Sequence, residues 1–454
     1  MGLTLIRNTK GKLAKDRPKI ALVLAGGAIT GGAFKLGGLK ALNDFLVGRD
    51  IIDFDIYVGL SAGSLLSVPL AAGLSPDEMI RVLDGTSSKF SAVGPRQLYT
   101  PNVREIVGRP TTVARDIAAW FPSTVADTLL SLPELPSTLH DALGELLRSP
   151  DRAQLRRTLR RLRAGVAPRK ALPSLSDAVP TGLFTNAPLE AWLRANLEGL
   201  GLPNDFPGFC DARGRELYIA ACALDTAERA VFGPGRHDEH ATISQAVQAS
   251  TALPIFYQPA RIDGVDYVDG GVRNTANIDV AIDRGADLVI CYNPFRPIWN
   301  EVDLELPAEL GGRRITDQGL KGVLNQVFRT LLQSRLRLGL EKYRHHPTFR
   351  GDIVVLEPKE YDLDYFGLNP MDFGKREVAL RHGFESVRHT IEQNFDSLED
   401  LLHAHGLRMS QVTAAQRAAQ IVRERGWNVA ANLPPSRANE RARARPRLRV
   451  GDAS

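Results

Sequence analysis

Short apolar runs alternate with amphipathic stretches along most of the chain. Continuous apolar runs at residues 20–25, 217–224 and 288–291 predict strands that are buried on both faces of a sheet. Apolar residues at helical spacing follow the first run and predict a helix with one apolar face, formed by Phe34, Leu36, Leu39, Leu42, Phe45 and Leu46. This alternation predicts an α/β fold with a central, mostly parallel sheet.

Beyond residue 296 the pattern is mainly helical. A long helix is predicted from one apolar face, formed by Leu320, Val323, Leu324, Val327, Phe328 and Leu331. Further helices are predicted at 377–395 and 414–425, and residues 353–356 predict a late strand at the edge of the sheet. Residues 434–454 are rich in Arg, Ala and Pro, which predicts a disordered tail.

A domain plan follows from these changes of pattern. We expect an N-terminal segment at 1–17, a core domain at 18–300, a mainly helical extension at 301–433 packed on that core, and the Arg-rich tail at 434–454.

Residues 101–180 interrupt the α/β pattern with proline-punctuated amphipathic pieces and a basic run from Arg152 to Lys170. We interpret this stretch as a helical insertion over the core. One hypothesis is that it makes peripheral contact with an anionic membrane surface, with Trp120 and Phe121 as apolar anchors. The alternative is an ordinary packed insertion with a solvated basic face.

The pentapeptide Gly59-Leu60-Ser61-Ala62-Gly63 lies between an apolar run and a second apolar stretch. A G-x-S-x-G sequence between a strand and a helix is typical of a nucleophile elbow, which holds its serine on a strained turn. The helix N-terminus then favours negative charge developing near that hydroxyl. Ser61 is therefore a candidate nucleophile.

A glycine-rich stretch, Gly26-Gly27-Ala28-Ile29-Thr30-Gly31-Gly32, follows the first predicted strand, and the helix is predicted to begin after it. Such a loop can bind phosphate, but this one lacks the Gly-Lys-Ser/Thr of a P-loop, and a dinucleotide fingerprint needs glycine at position 28, which is Ala. Its other use is to direct backbone N–H groups at an oxyanion, where glycine lets the backbone approach a reacting carbonyl.

Composition narrows the classes of partner and compartment. The net charge of the 454 residues is +5. Residues 436–454 supply +4 of it, with six Arg against Glu440 and Asp452, so the rest of the chain is nearly neutral and no nucleic acid partner is expected.

Cys210, Cys222 and Cys291 lack metal-ligand spacing and predict buried thiols in a reducing compartment. No apolar run reaches the roughly 18 residues of a membrane helix. We expect a cytoplasmic protein, at most peripheral to a membrane, without metal or cofactor.

Three features together resemble the patatin-like phospholipases: the glycine loop after the first strand, the Ser61 pentapeptide about thirty residues later, and Asp269-Gly270-Gly271. The last follows the segment Tyr267-Val268, next to a tight hairpin that Asp263-Gly264 predicts. The resemblance covers residues 18–295. It implies a three-layer α/β/α core and a serine lipid acyl hydrolase acting on phospholipids or other acyl lipids.

The resemblance also implies roles for individual residues. Ser61 is expected to be the nucleophile and Asp269 its general base, as a two-residue dyad. A partly desolvated carboxylate can accept the serine proton because burial raises its pKa towards the working pH. Gly270 and Gly271 are expected to let the acid loop turn tightly, and the amides of Gly26, Gly27 and Ala28 to form the oxyanion hole.

The glycine loop departs from the family pattern of three glycines, any residue, a basic residue and glycine. Here the third glycine is Ala28, the basic position is Thr30, and Gly32 is an additional glycine. This departure leaves a second hypothesis, a catalytically impaired protein that binds lipid or a partner. A Ser-His-Asp triad is a rival mechanism, for which His345 or His382 has a suitable place in the chain order.

Overall fold

The computed structural model describes residues 2–9, 17–112, 115, 178–235, 240–300, 314–359 and 362–425. The expectations for Trp120, Phe121, the basic run from Arg152 to Lys170 and the tail at 434–454 lie outside these residues. The chain divides into two compact units, Met1–Thr100 with Phe184–Ser454, and Pro101–Leu183. The domain boundaries expected from the sequence remain predictions.

The second unit has few described residues, and backbone and side-chain hydrogen bonds join its two ends. Asn102 donates from its amide to Leu183 O at 2.9 Å and from its side chain to Gly182 O at 3.2 Å. Glu105 accepts from the amide of Thr181 at 2.7 Å. The entry and exit of this unit are therefore held side by side.

The strands of the structure lie where most of the apolar runs predict them. In chain order they are β1 (Leu3–Ile6), β2 (Ile20–Leu24), β3 (Leu46–Val47), β4 (Ile56–Leu60), β5 (Thr100–Pro101), β6 (Gly182–Thr185), β7 (Glu216–Ala223), β8 (Arg229–Phe232), β9 (Ile255–Tyr257), β10 (Ala260–Ile262), β11 (Val265–Asp269), β12 (Leu288–Tyr292), β13 (Asp352–Leu356) and β14 (Arg408–Met409).

Nine of these strands form the central sheet, in the order β1-β13-β12-β2-β4-β7-β11-β10, with β8 also paired to β7. β13, β12, β2, β4 and β7 are parallel to one another, and the outer strands pair antiparallel. The predicted α/β class with a mostly parallel sheet is confirmed. The predicted Asp263-Gly264 hairpin joins β10 to β11, with φ of 48° and 85° at the two turn residues.

Helices cover both faces of the sheet. They are α1 (Ala28–Phe45), α2 (Ala62–Ala71), α3 (Pro76–Asp84), α4 (Pro95–Leu98), α5 (Ala187–Gly199), α6 (Phe206–Arg213), α7 (Ile243–Ser250), α8 (Ile278–Asp283), α9 (Gly319–Arg344), α10 (Leu363–Phe366), α11 (Arg376–Gln393), α12 (Phe395–His403) and α13 (Gln411–Arg425), with 3₁₀ turns at Ile51–Asp53, Gly270–Val272, Ile315–Gln318 and Phe373–Lys375. Within the described ranges, no helix is both long enough and apolar enough to cross a bilayer.

Alternate residues of β2 enter two different hydrophobic cores. Leu22 packs in the core that contains Phe34 of α1, whereas Val23 packs in the core that contains Val280 of α8 and Leu336 of α9. This alternation follows from the period of two along a strand. The sheet is therefore the middle layer of three, as the resemblance implied.

One prediction for the C-terminal third was wrong, and another left the orientation of a helix open. β13 lies inside the sheet, because the N-terminal strand β1, which the sequence analysis missed, pairs with it along its outer side. The predicted long helix is confirmed as α9, but its apolar face is exposed, with Leu320 73% and Leu331 52% accessible. Leu336, Leu340 and Tyr343 fix the rotation of α9 by packing in the core, and at 100° per residue the predicted face points to the opposite side.

α1 and α11 approach each other closely at two glycines. A Cβ added to Gly37 would overlap the backbone of Leu380, and one added to Gly383 would overlap the carbonyl of Phe34. Neither obstruction is a flexible side chain. This crossing holds α11 and the segment before it against the start of α1, where the predicted glycine loop lies.

We therefore predict that Gly383→Ala lowers the free energy of unfolding by about 2 kcal/mol, as overpacking of a close contact does. Gly339→Ala is the matched control, because Gly339 is also in a helix but has open space around it. It should stabilise the protein by about 0.5–1 kcal/mol. Urea unfolding of both variants measures the effect, and a similar stabilisation of both would contradict the close crossing.

Candidate active site

Ser61 lies on a strained turn between β4 and α2. Its φ of 53° and ψ of −130° are unusual for a residue with a side chain. A Cβ added to Gly59 would lie 2.5 Å from Ser64 Cα, and one added to Gly63 would lie 2.6 Å from Ala25 O. The glycines on either side of Ser61 are therefore required for α2 to pack against β2 and β4, as in a nucleophile elbow.

The other two residues of the pentapeptide fix the turn at its ends. Leu60 is the last residue of β4 and pairs with Ala220 of β7, and Ala62 is the first residue of α2. The amide of Ser61 donates to Ser250 Oγ at 2.8 Å, and that hydroxyl donates to Ala220 O at 2.7 Å. Since the Ser61 amide already has a partner, a reacting oxyanion needs donors from elsewhere.

Asp269 ends β11 on the other side of β7, opposite Ala221. Its amide donates to Ala252 O at 2.9 Å, and its Oδ1 accepts from the Gly271 amide at 2.8 Å. A Cβ added to Gly270 would lie 2.8 Å from the Leu60 side chain. The Gly270-Gly271 pair thus lets the acid loop turn back on itself beside the serine turn.

The Ser61 hydroxyl lies beside the Asp269 carboxylate and lowers its pKa. Both residues are buried, with 7% and 4% of their surfaces exposed. Burial raises the pKa of Asp269 to about 6, although the hydrogen bonds from Ser61 and Gly271 and the charge of Lys35 oppose the increase. At neutral pH the pair is thus a hydroxyl held by a desolvated carboxylate.

Lys35 is a charged residue of this site that the sequence analysis did not identify. Its side chain is fully buried on α1, and its ammonium donates to the carbonyl oxygens of Ala25 and, at 3.2 Å, Gly26. Burial lowers the pKa of Lys35 to about 7, against the opposing effect of the Asp269 charge. The sequence does contain a signal for this residue, a single lysine among the apolar residues of a predicted helix. A lysine buried there needs hydrogen-bond or charge partners, which indicates a polar site nearby.

The glycine stretch is shorter than predicted because α1 begins at Ala28. Residues 28–32 are therefore helical, and the irregular turn is limited to Gly26 and Gly27. Pro370 O accepts from the amides of Ile29 and Thr30 at 3.0 and 3.1 Å, and this cap allows the helix to start early. The cap comes from a residue more than 300 positions away, which no local pattern reveals.

Three amides remain at this end of α1. The amides of Gly26, Gly27 and Ala28 donate no hydrogen bond to any of the described residues. A Cβ added to Gly26 would lie 3.3 Å from Ser61 Cβ, and Ala28 lines the same cavity as Ser61. Ala28 keeps φ at 51°, a value that favours glycine, so the methyl group is accommodated with strain.

An apolar cavity opens onto Ser61. It comprises about 1060 Å³ of space, open solvent at its mouth included. Its walls are mostly aliphatic and aromatic side chains, among them Leu36, Leu65, Leu66, Met79, Phe90, Leu189, Trp192 and Phe373, with Arg376 as the charged residue. The guanidinium of Arg376 lies 4.3 Å from the centre of the Phe373 ring.

The histidines considered for a triad lie in other contacts. His345 has 83% of its side chain exposed and pairs with Glu341. His382 pairs with Asp362. Among the described residues, Ser61, Gly271 and Lys35 act on the pKa of Asp269, and no histidine does.

Comparison with known proteins identifies a family. The model of the family described as patatin-like phospholipase matches residues 22–282, more than half of the chain. This range contains the pentapeptide of Ser61, the acid loop of Asp269, the glycine turn and Lys35.

Three solved structures resemble the chain weakly. VipD from Legionella pneumophila has 15% identity and a TM-score of 0.34 over 86% of this chain and 70% of its own. A structure of ExoU with SpcU from Pseudomonas aeruginosa has 16% identity and a TM-score of 0.28, over 87% and 62%. Human GIVD cytosolic phospholipase A2 has 12% identity and a TM-score of 0.34, over 88% and 62%.

The burial of Asp269 predicts a pH-dependent cost to stability. Its pKa in the folded protein, about 6, is above the unfolded value of about 4, so the protonated group stabilises the fold at low pH and this contribution is lost as the pH rises through 6. Asp269→Asn removes the titration. The free energy of unfolding of the wild type relative to this variant should fall by about 2 kcal/mol between pH 4 and pH 8.

Urea unfolding at several pH values measures this difference. Asp225→Asn, at an exposed carboxylate in the turn after β7, is the matched control. A difference between the wild type and Asp269→Asn that stays constant from pH 4 to pH 8 would contradict a desolvated Asp269.

Proposed function

The chain belongs to the patatin-like phospholipase family, and from this premise we propose that it is a serine lipid acyl hydrolase with Ser61 as nucleophile and Asp269 as general base. Family membership supports lipid hydrolysis in general. The observation that carries the specific proposal is the buried Ser61 hydroxyl beside the desolvated Asp269 carboxylate, with Ser61 in the wall of an apolar cavity.

Acylation begins when Ser61 Oγ attacks the carbonyl carbon of a carboxylic ester while its proton passes to Asp269. The carbonyl oxygen becomes an oxyanion that accepts hydrogen bonds from the amides of Gly26, Gly27 and Ala28. The bond from carbon to the alcohol oxygen then breaks, and that oxygen takes the proton from Asp269. The products of this half-reaction are the free alcohol and an ester of Ser61.

Deacylation repeats the sequence with water. Asp269, again a carboxylate, accepts a proton from a water molecule as it attacks the acyl carbon. The intermediate collapses, Ser61 Oγ regains a proton from Asp269, and a carboxylic acid leaves. A carboxylate with a pKa near 6 suits both directions of transfer, because it is mostly ionised at neutral pH and still basic enough to accept a proton.

The lining of the cavity supports an acyl lipid as substrate. Apolar walls next to Ser61 suit a hydrocarbon chain, because burying such a chain stabilises the complex in proportion to its apolar area. Arg376 supplies a charged group for an anionic headgroup such as a phosphate. These features support phospholipids or related acyl lipids as the substrate class.

Loss of either dyad member should abolish ester turnover. We predict that Ser61→Ala and Asp269→Asn each lower kcat with a long-chain ester by at least about a thousandfold, since neither residue alone completes the proton transfer. The double variant should be no worse than the single ones because the two residues act as a unit. Steady-state hydrolysis and circular dichroism provide the measurements.

Ser88→Ala is the matched control, since Ser88 is exposed, and it should retain wild-type kcat. Wild-type turnover by folded Ser61→Ala would overturn the proposal. A folded wild-type protein without turnover of any acyl lipid would favour the alternative of a lipid- or partner-binding protein.

Narrowing the cavity should discriminate among chain lengths. Leu65 lines the cavity one helical turn after Ser61, so Leu65→Trp should obstruct long acyl chains and spare short ones. We predict that the ratio of kcat/KM for a palmitoyl ester to that for a butyryl ester falls at least about tenfold. Leu338→Trp, at a 70% exposed position on α9, is the control. An unchanged ratio in Leu65→Trp would show that the acyl chain binds elsewhere.

A further inference from the structure

We propose that Lys35 is a positioning residue that orients the oxyanion-binding amides of Gly26 and Gly27 from inside the protein. This inference deepens the proposed function and rests on it. Lys35 does not face the reacting atoms, because its ammonium donates to the backbone oxygens of Ala25 and Gly26.

The first support is the choice of partners. Lys35 is fully buried, and the hydrogen bonds of its ammonium go to the carbonyl oxygens of Ala25 and Gly26. These are consecutive carbonyls of the irregular turn between β2 and α1. Residues 25–32 contain no basic residue of their own, so Lys35 brings positive charge to this turn from about two helical turns into α1.

The second support is the geometry of the peptide unit. In a planar trans peptide the C=O and N–H bonds point in opposite directions. The Ala25 carbonyl shares its peptide unit with the Gly26 amide, and the Gly26 carbonyl shares its unit with the Gly27 amide. Because Lys35 holds both carbonyl oxygens, both amides must point away from the ammonium, and Gly26 lies directly beside Ser61.

The third amide, that of Ala28, is oriented by the helix and not by Lys35. The Gly27 carbonyl accepts from the Gly31 amide at 3.0 Å, as in the first turn of a helix, so the Ala28 N–H points out of the N-terminus of α1. Two amides are thus set by Lys35 and one by the helix. Removing Lys35 should release the first two and leave the third in place.

A charged donor suits this task better than a neutral one. Hydrogen bonds from an ionised donor are roughly twice as strong as neutral ones, so the ammonium holds the two peptides against rotation. The positive charge of Lys35 also lies at the carbonyl ends of these two peptide dipoles. It therefore favours an oxyanion that binds at their amide ends. The hydrogen bonds of the ammonium and its electrostatic effect both strengthen as negative charge develops on the oxyanion.

The charge state of Lys35 makes the proposal testable through pH. Two titratable groups raise the pKa of Lys35 through their charge, Asp269 at the end of β11 and Cys291 on β12. Burial keeps Cys291 a neutral thiol by raising its pKa. Burial also lowers the pKa of Lys35 to about 7, so the turn should loosen as the pH rises above that value. Activity should therefore rise as Asp269 ionises and fall as Lys35 loses its proton.

The experiment compares Lys35→Met, Lys35→Arg and the wild type with a soluble ester from pH 5 to pH 9. Lys35→Met keeps the approximate length and removes the charge and donors. We expect its kcat to fall about 10²–10³-fold with little change in KM, the loss typical of missing oxyanion donors. Lys35→Arg should recover part of kcat and move the alkaline fall above pH 9, because a guanidinium stays charged.

Lys40→Met is the matched control. Lys40 is also a buried lysine of α1, but it pairs with Asp44 at 2.6 Å and Asp77 at 3.0 Å, away from the turn. Its loss should lower thermal stability and leave kcat and the pH profile unchanged.

The wild-type profile tests the proposal even if Lys35→Met does not fold. Constant kcat/KM from pH 7 to pH 9 would overturn it, as would wild-type kcat in folded Lys35→Met. These outcomes are distinct from failure of the proposed function. If Ser61→Ala is inactive while Lys35→Met is unimpaired, only the role of Lys35 is wrong, and if Ser61→Ala is fully active, the dyad itself is wrong.

Discussion

Removal of the Asp269 carboxylate from water is the constraint on which the rest of the site depends. A buried carboxylate is costly unless hydrogen bonds and charge compensate it, and here the compensation comes from Ser61, Gly271 and Lys35. Each of these groups comes from a different loop or helix. The same desolvation that costs stability raises the pKa of Asp269 to about 6, which suits a proton acceptor, so stability is exchanged for reactivity in one interaction.

Close packing provides the geometry for that interaction. β7 lies between the strand that leads to Ser61 and the strand that ends in Asp269. Leu60, which precedes Ser61, pairs with Ala220, and Asp269 pairs with the next residue, Ala221. Glycines in the serine turn and the acid loop remove the side chains that would keep these segments apart. On the other side, the crossing of α1 and α11 helps hold the region of Pro370, whose carbonyl caps α1 beside the turn at Gly26 and Gly27.

The sequence predicts the parts of this site that depend on local pattern. Buried parallel strands, the turn at Asp263-Gly264 and the strained turn at Ser61 follow from residues that are near one another in the chain. It does not predict the start of α1 at Ala28, because the Pro370 cap is distant in sequence. It identifies an apolar face on α9 but not its orientation, which is set by Leu336 and Tyr343. Lys35 was overlooked because a single polar residue hardly changes an apolar periodicity.

The central claim is that Asp269 activates Ser61, and the rate and site of covalent labelling test it most directly. An alkyl fluorophosphonate with intact-mass and peptide mass spectrometry reports both quantities for wild type and Asp269→Asn. We expect one adduct on Ser61 in the wild type, and labelling slower by at least about a hundredfold in the variant, because the hydroxyl has lost its base. An adduct on another residue, or equal rates in the two proteins, would contradict it.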